Sequence, residues 1–236
     1  MASFLAEVPT TPSPEASHRR AIRSFVVRAG RMTPGQRQAL ERLWPRYGLD
    51  LPDGALDLDQ AFGRQAPRTL EIGFGMGDAL LALAAAHPEQ DFIGVEVYPP
   101  GIGSFLLRLE QAGLSNVGVI CADAIEVLAR HLPAASLDRL LVLFPDPWPK
   151  KRHHKRRLVN AQFLELAARV LAPGGQLQIA TDWADYAAAV DELLPSCPNF
   201  TPVESASGHA ARPETKYERR GQRLGHAIHE FVHRRR

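Results

Sequence analysis

The sequence predicts an α/β protein with a central, mostly parallel sheet covered by helices on both faces. Three observations support this fold class. From residue 69 onward, short apolar runs alternate with longer segments of helical periodicity. The apolar runs are nearly continuous, as expected for strands that are buried on both faces. The first run leads into a glycine-rich turn that opens a helix, a connection found in parallel sheets that bind ligands.

The segment before this alternation is predicted to be largely irregular. Residues 1–20 combine several prolines with serine, threonine and glutamate, a composition typical of a disordered arm. Residues 22–27 resemble a short extended segment, and residues 46–66 are rich in aspartate, glycine and proline, which indicates a linker. We therefore expect a single domain over residues 21–236, in which residues 21–66 form an N-terminal extension.

One helix is predicted within this extension. Thr33 is expected to cap it, because Pro34 suits the first helical position and Gln36 completes a capping box. The helix is expected to end before Pro45, since proline removes a backbone donor. Its apolar stripe consists of Leu40, Leu43 and Trp44.

The remaining elements follow from apolar runs bounded by glycine, proline, aspartate and asparagine. Seven strands are predicted, at residues 69–72, 91–96, 117–121, 137–144, 177–181, 200–204 and 227–233. Helices are predicted at residues 79–86, 102–112, 124–132, 158–171 and 183–194. The fourth of these helices is expected to close at the Pro-Gly-Gly of residues 173–175.

Positive charge is concentrated in one short stretch. The chain carries 28 lysines and arginines against 26 aspartates and glutamates. Six of the basic residues lie in residues 144–157, FPDPWPKKRHHKRR, and without them the balance is 22 to 26. A concentrated basic patch is typical of a protein that binds a polyanion such as a nucleic acid, although many charge runs only increase solubility.

A rigid acidic turn precedes the basic run. Asp146 lies between Pro145 and Pro147, which fix their own backbone angles and remove two donors. The turn follows the fourth predicted strand, so its carboxylate should lie at the edge of the sheet where ligands bind. A carboxylate held beside a positive patch suits a site that acts on one group of a polyanion.

Two further acids frame a predicted cofactor site. The segment EIGFGMG places Glu71 in the first strand and Gly73, Gly75 and Gly77 in the following turn, where the backbone can approach a ligand closely. Glu96 ends the second strand, 19 residues after Gly77, a spacing at which a carboxylate accepts hydrogen bonds from ribose hydroxyls. The alternative interpretations are a packing turn and an ordinary acid at a strand end.

NAD and S-adenosylmethionine both suit this arrangement. Glu71 beside the loop favours S-adenosylmethionine, which carries an ammonium and a sulfonium, whereas the phosphates of NAD would be repelled. Asp123 follows the third strand and would either face the adenine or cap the next helix.

Several motifs together resemble the bacterial tRNA (guanine-N7-)-methyltransferases. They cover nearly the whole chain after residue 20, and the most specific are the Pro-Asp-Pro-Trp turn with its basic run and the Thr-Lys-Tyr-Glu of residues 215–218. The motifs are RSFVVRAGRMTPGQ (23–36), EIGFGMG (71–77), IGVEV (93–97), FPDPWPKKRHHKRR (144–157), TDWADYA (181–187) and TKYERRG (215–221). Pro149 stands where many members carry a polar residue.

The resemblance implies a Rossmann-like class I methyltransferase fold that transfers a methyl group from S-adenosylmethionine to N7 of a guanosine in the tRNA variable loop. S-adenosylhomocysteine is the expected product. The resemblance implies cofactor contacts for Glu71, Gly73, Gly75, Gly77, Glu96, Asp123 and Asp146. It implies substrate contacts for Lys150, Asp182, Thr215, Lys216, Tyr217 and Glu218. It implies RNA contacts for Arg152, His153, His154, Lys155, Arg156 and Arg157.

Chemical reasoning about guanine is compatible with these roles. Guanine N7 has a free lone pair and no proton, so Asp146 is expected to orient and to stabilise charge rather than act as a base. Asp182 and Glu218 can accept hydrogen bonds from N1–H and the N2 amino group of guanine, donors that adenine lacks on this edge. Trp148 would either stack on the base or pack within the protein.

Other functions remain open from the sequence. The enzyme alternative is a nicotinamide-dependent oxidoreductase, and the alternative of another class is a noncatalytic RNA-binding protein. We expect no metal site, no membrane segment and, with two cysteines, no disulfide framework. A cytoplasmic monomer or homodimer that binds tRNA is the resulting prediction.

Overall fold

Seven strands form one sheet in a computed structural model, which describes residues 23–25, 31–203 and 212–236. The strands are β1 (Arg68–Ile72), β2 (Asp91–Glu96), β3 (Val117–Cys121), β4 (Leu137–Leu143), β5 (Leu171–Thr181), β6 (Phe200–Pro202) and β7 (His229–Arg235). Their order is β3-β2-β1-β4-β5-β7-β6. Neighbours among β1 to β5 are parallel, and β7 is antiparallel to both β5 and β6. The predicted mostly parallel seven-stranded sheet is thereby confirmed.

Helices cover both faces of this sheet, as predicted. They are α1 (Pro34–Tyr47), α2 (Leu58–Phe62), α3 (Asp78–Ala86), α4 (Pro99–Gln111), α5 (Ala124–Glu126), α6 (Ala161–Val170), α7 (Ala184–Leu193) and α8 (Lys216–Arg223). A π-helical turn, Val127–His131, extends α5. One buried apolar cluster joins α2, α5, α6 and α7 to the sheet, and a second joins α1, α3 and α4 to it.

The strand order reverses between β1 and β4. The connections on the two sides of this point run in opposite directions, which opens a crevice at the carboxyl ends of the strands. We call this end of the sheet the carboxyl edge. Glu71, Glu96, Asp146 and Asp182 all lie at or just beyond the ends of parallel strands, so the fold brings them to one edge.

Helix α1 does not end before Pro45, contrary to the sequence prediction. It runs to Tyr47 and contains Pro45 in its last turn. Because proline has no backbone N–H, the carbonyl of Glu41, four residues earlier and exposed, lacks its helical hydrogen bond. Tyr47 is buried, and its hydroxyl donates to the carbonyl of Leu114 (3.1 Å). Burial of this tyrosine therefore outweighs the cost of the proline.

The predicted linker at residues 46–66 contains helix α2. Asp57 caps it by accepting a hydrogen bond from the backbone of Gln60 (2.9 Å), and Leu58 is buried against the sheet. The signal was an aspartate three residues before a glutamine, a pattern typical of a helix start. Gly63, in the left-handed region at φ +67°, ends the helix.

Some element boundaries differ from the predictions. Helix α4 begins three residues earlier, because Pro99 and Pro100 occupy its first turn. Helix α6 begins three residues later, because Asn160 accepts a hydrogen bond from the backbone of Phe163 (3.0 Å). Strand β7 is shifted by two residues and pairs as far as Arg235. The arm predicted at residues 1–20 and parts of the 22–27 and 200–204 segments lie outside the described residues.

Candidate active site

The glycine-rich loop forms a tight turn between β1 and α3. Gly73, Gly75 and Gly77 all have positive φ angles, of 70°, 59° and 73°. Gly77 could not be replaced without a clash, because a β-carbon there would lie 2.2 Å from the ring of Phe105. Gly77 therefore serves helix packing, as the alternative interpretation predicted. The rest of the loop leaves room for a ligand to approach the N-terminus of α3 closely.

Glu96 binds the backbone of this loop. Its carboxylate accepts hydrogen bonds from the amides of Gly75 (2.8 Å), Val97 (2.7 Å) and Tyr98 (3.1 Å). Burial raises the pKa of Glu96, while these three bonds act in the opposite direction. The end of β2 and the loop after β1 are thus joined through one acid, at the position predicted for ribose recognition.

Glu71 is a buried acid with an unsatisfied oxygen. Its residue is 4% exposed, and among the described residues Oε2 has no hydrogen-bond partner. Burial raises the pKa of Glu71 to about 8, and the carboxylates of Glu96 and Asp78 contribute in the same direction. A group with an orphaned oxygen amid other acids is suited to a cationic ligand, because a positive charge would favour its ionised form.

The stability of the ligand-free protein should therefore depend on Glu71 and pH. The folded protein retains a proton on this carboxyl group up to about pH 8, whereas an unfolded glutamate releases it near 4.5. The free energy of unfolding should fall as pH rises from 5 to 8, by at most about 1.4 kcal/mol per pH unit from this group. Glu71→Gln should remove that slope, as measured by urea unfolding at each pH.

The matched control is Glu126→Gln, which removes an exposed glutamate of α5. This variant should retain the pH slope of the unsubstituted protein. Parallel stability curves for Glu71→Gln and the unsubstituted protein would show that Glu71 is ionised in the ligand-free fold.

Asp146 lies on a turn with two strained residues. Phe144 and Trp148 flank the Pro-Asp-Pro sequence and have φ angles of 53° and 48°, in the left-handed region that non-glycine residues rarely occupy. Such conformations cost roughly 1–3 kcal/mol each and persist where the surroundings enforce them. The Asp146 side chain is exposed, and its charge contributes to raising the pKa of Glu96, which places it near the acid that binds the glycine-rich loop.

Contacts around Trp148 hold the turn in place. The indole N–H donates to the carbonyl of Ser24 (3.1 Å), so a segment before α1 reaches the turn. The Arg156 guanidinium lies over the indole ring at 4.9 Å, and the His153 ring packs edge-on at 5.9 Å. These contacts favour the packing role of Trp148 over the stacking of a substrate base.

Helix α8 brings the predicted substrate residues to the glycine-rich loop. Thr215 and Glu218 form its capping box, and a β-carbon on Gly75 would lie 3.7 Å from the Tyr217 hydroxyl. Gly221 packs on Asp182, because a β-carbon there would lie 2.9 Å from the Asp182 side chain. Lys216 and Tyr217 therefore lie in the first turn of a helix that the sequence analysis did not predict, although its Thr-x-x-Glu pattern is typical of a helix start.

Asp182 follows β5 and has a histidine partner. Its Oδ2 lies 3.2 Å from Nδ1 of His226, which comes shortly after α8. The Asp182 side chain retains 28% of its exposure. One oxygen thus holds the C-terminal segment, while the carboxylate as a whole remains accessible from the carboxyl edge.

Arg212 is a site residue that the sequence reasoning missed. Its side chain is 6% exposed and pairs with Glu218 of α8 and with Glu230 of β7, the latter at 2.7 Å. It also lies 5.7 Å from the ring of Phe144, next to the Asp146 turn. Burial acts to lower the pKa of Arg212, but the hydrogen bonds to Glu218 and Glu230 outweigh it and raise the pKa.

This arginine ends a polar network that crosses the sheet. Glu230 accepts from the amide of Gln178 (2.6 Å) on β5, and Gln178 accepts from Arg139 (3.2 Å) on β4. Arg139 and Arg212 both act to lower the pKa of Glu71, opposing the burial that raises it. The network therefore links Glu71 on β1, through the charges of Arg139 and Arg212, to the helix that carries the predicted substrate residues.

Asp123 has the helix-capping role that the sequence left open. Its Oδ1 accepts a hydrogen bond from the backbone of Ile125 (2.9 Å) at the start of α5. It lies just beyond β3 at the carboxyl edge, where a ligand contact through its second oxygen stays a prediction.

The basic run divides into exposed and buried parts. Residues Lys151–Arg156 form a 3-10 helix, and the side chains of Lys151, Arg152 and Lys155 are exposed. Arg157, in contrast, is buried: it donates to the carbonyl of Pro147 (3.0 Å) and forms an ion pair with Asp185. Its guanidinium also lies 4.8 Å from the ring centroid of Tyr186. Arg157 thereby braces the turn that carries Asp146.

Within the described ranges, no group of three or more histidine, cysteine, aspartate or glutamate side chains could hold a metal ion. Among these same residues, no helix has the length and apolar character needed to cross a membrane.

Comparisons with known proteins give a consistent picture. Residues 65–231 match the family profile described as "Putative methyltransferase". Relatives called tRNA (guanine-N(7)-)-methyltransferase include those of Halorhodospira halophila, 52% identical over 92% of this chain and 96% of the relative. That of Nitrosococcus oceani is 54% identical over 91% of each chain.

Solved structures share the fold at low sequence identity. The 16S rRNA methyltransferase KamB is 17% identical, with a TM-score of 0.58 over 79% of this chain and 95% of KamB. A SAM-dependent methyltransferase from Aquifex aeolicus is 15% identical, with a TM-score of 0.51 over 75% of this chain and 87% of that one. These likenesses confirm the Rossmann-like class I architecture.

Proposed function

Because the chain belongs to the tRNA (guanine-N(7)-)-methyltransferase family, we propose that it methylates N7 of a guanosine in tRNA. The observation that carries this proposal is the convergence of Glu71, Glu96, Asp146 and Asp182 at one edge of the sheet, beside an exposed basic run. A cytoplasmic location belongs to the same proposal, because tRNA is the substrate.

S-adenosylmethionine, when bound, supplies an electrophilic methyl group on a sulfonium. The orphaned Oε2 of Glu71 and the surrounding acids fit this cationic group, and Glu96 fits the role of ribose acceptor. Gly73, Gly75 and Gly77 keep side chains away from the cofactor position. Asp123 would contribute its second carboxylate oxygen. The phosphates of NAD would meet these same acids, so the oxidoreductase alternative is disfavoured.

The protein's role in the transfer is positional and electrostatic. Guanine N7 needs no general base, so the site must hold the nucleophile in line with the methyl group and exclude water, which can contribute about 7–11 kcal/mol. The methylated guanine is cationic, and Asp146, fixed on its strained turn, would stabilise that charge as it develops. Lys150, exposed four residues later, would hold a nearby phosphate.

Asp182 is the proposed acceptor for N1–H and the N2 amino group of guanine. Its carboxylate is accessible and adjoins α8. Glu218 is already engaged by Arg212 and by the Thr215 capping box, so in this proposal both residues act mainly by positioning α8. Tyr217 would border the base, because the Tyr217 hydroxyl approaches the glycine-rich loop, and Lys216 would contact the substrate from the first turn of α8.

Methyl transfer from labelled S-adenosylmethionine to bulk unmodified tRNA tests the proposal. Label in 7-methylguanosine is the expected result after nucleoside separation. Label in another nucleoside would refute the guanine-specific chemistry. A folded protein that binds tRNA without transferring label would favour the noncatalytic RNA-binding alternative.

The exposed part of the basic run should set the salt dependence of tRNA binding. Lys151→Gln combined with Lys155→Gln removes two exposed cations without disturbing a described ion pair. The slope of log affinity against log salt concentration should fall in magnitude by about 2, with turnover at saturating tRNA retained. Salt-titrated binding of tRNA measures the slope, and methyl transfer at saturating tRNA measures turnover.

Arg157→Gln is the matched comparison within the same run. Because Arg157 is buried against Asp185 and Pro147, its loss should lower the unfolding midpoint and turnover instead of the salt slope. A loss of salt slope in Arg157→Gln without a loss of stability would show that this arginine contacts RNA directly.

A further inference from the structure

Helix α8 has a row of cations beside the residues that face the site. Tyr217 and Gly221 are four residues apart and approach Gly75 and Asp182, so they lie on the face turned to the site. Lys216, Arg220 and Arg223 share the adjacent face, at spacings of four and three residues. We call these three residues the α8 cationic row.

The arginines of this row have no carboxylate partner among the residues that the structure describes. Elsewhere, arginines such as Arg64, Arg68 and Arg108 pair with aspartates. Arg220 and Arg223 are exposed, and within the described ranges neither forms an ion pair with an acid. Two uncompensated charges on an exposed helix face are available to an external anion.

The row also lies close to the predicted site, because Tyr217, which follows Lys216, approaches Gly75. Burial and the charges of Glu96 and Asp146 raise the pKa of Tyr217, whereas the charge of Arg220 acts to lower it. Arg220 is therefore near enough to influence the same phenol as these two acids. Arg223 Nε donates a hydrogen bond to the carbonyl of Arg219 (3.2 Å). This bond holds the side chain along the helix and does not involve the two terminal guanidinium nitrogens. Arg219 itself pairs with Glu214 at 3.5 Å.

We propose that the α8 cationic row binds the tRNA phosphate backbone next to the target guanosine, as a second contact surface separate from the basic run. The inference rests on the proposed function. A nucleotide that reaches Asp146 and Asp182 must have its flanking phosphates near the carboxyl edge, where α8 packs against Gly75 and Asp182. Guanidinium groups favour phosphate through paired hydrogen bonds. The basic run would hold one side of the backbone, and α8 the other.

The test is salt-titrated tRNA binding by an Arg220→Gln/Arg223→Gln variant. The salt slope should fall in magnitude by about 2, since each phosphate contact contributes roughly 0.9. The Arg220→Lys/Arg223→Lys variant keeps both charges and should retain most of the slope. Combining the glutamine pair with Lys151→Gln/Lys155→Gln should double the loss, because the two surfaces bind different phosphates.

The matched control is Arg46→Gln/Arg130→Gln, which removes two exposed arginines at the opposite edge of the sheet. Arg46 lies at the end of α1 beside Tyr47, which bonds to Leu114 ahead of β3, and Arg130 lies in the turn that leads to β4. This control changes net charge equally and should keep the wild-type slope.

Three outcomes are distinguishable. A reduced slope in the Arg220/Arg223 glutamine pair, with normal slopes in the lysine pair and the control, supports the inference. Equal slopes in the glutamine pair and the control overturn it, while formation of 7-methylguanosine by the unsubstituted protein would leave the proposed function intact. A glutamine pair that loses unfolding stability and turnover with an unchanged slope would also overturn it, in favour of a structural role for the arginines.

Discussion

Asp146→Ala should reduce the single-turnover rate of methyl transfer by about two to three orders of magnitude, with little change in tRNA affinity. The carboxylate is exposed at the carboxyl edge, and its charge contributes to raising the pKa of both Glu96 and Tyr217. Because the proposed role of this carboxylate is to stabilise charge that develops only during transfer, its loss should affect the rate more than binding. Rapid-quench transfer and equilibrium tRNA binding measure the two effects separately.

Asp146→Asn separates charge from shape. It retains the size of the side chain on the same strained turn, so a rate as low as that of the alanine variant would identify the negative charge as the essential property. Asp53→Ala, which removes an exposed carboxylate before α2, is the control and should transfer methyl groups at the unsubstituted rate. Full activity in Asp146→Ala would mean that this carboxylate is only structural.

Arg212→Gln should destabilise the protein by about 3–5 kcal/mol, the usual cost of breaking a buried ion pair from one side. Arg212 is 6% exposed, and its loss would leave Glu218, itself 14% exposed, without its cationic partner. Glu230 would also lose this contact. Urea unfolding should show a lower midpoint with an unchanged m-value. Turnover should also fall, because α8 would no longer be fixed against β7.

Two further variants make this result specific. Arg212→Lys keeps the charge but cannot contact two carboxylates with one planar group. Its unfolding midpoint should therefore lie between those of Arg212→Gln and the unsubstituted protein. Arg42→Gln removes an exposed ion pair with Glu110 and should leave the midpoint nearly unchanged. A midpoint for Arg212→Gln equal to that of Arg42→Gln would show that the buried network contributes nothing to stability.

The central part of the fold could be predicted from the sequence because its signals are local. Strands β2 and β3 were predicted to the residue, since each is a short apolar run bounded by turn residues. The gathering of Glu71, Glu96 and Asp146 followed from one rule, that the ends of parallel strands share an edge. Helix α8 was missed because its sequence, KYERRGQR, offers charges and a glycine where an apolar stripe would identify a helix.

The support of the site could not be predicted, because it depends on tertiary contacts between distant segments. Arg157 lies in a run of exposed cations, and only the position of Asp185 and Tyr186 on α7 explains its burial. Arg212 has no local signal, since its partners lie on α8 and β7. The strain at Phe144 and Trp148 is likewise visible only in the backbone angles. Sequence patterns therefore located the acids but not the residues that hold them.

The placement of β7 has a consequence for how the enzyme is made in the cell. β7 lies inside the sheet between β5 and β6, although it follows both of them in the chain and so leaves the ribosome after them. Until residues 229–235 are available, β5 has an open edge, and Glu230 cannot anchor Arg212. A nascent chain can thus form the β1–β5 half early but gain a competent site only in a late step after translation of β7. Ribosome stalling or proteolysis before that point would yield an inactive fragment with an aggregation-prone edge.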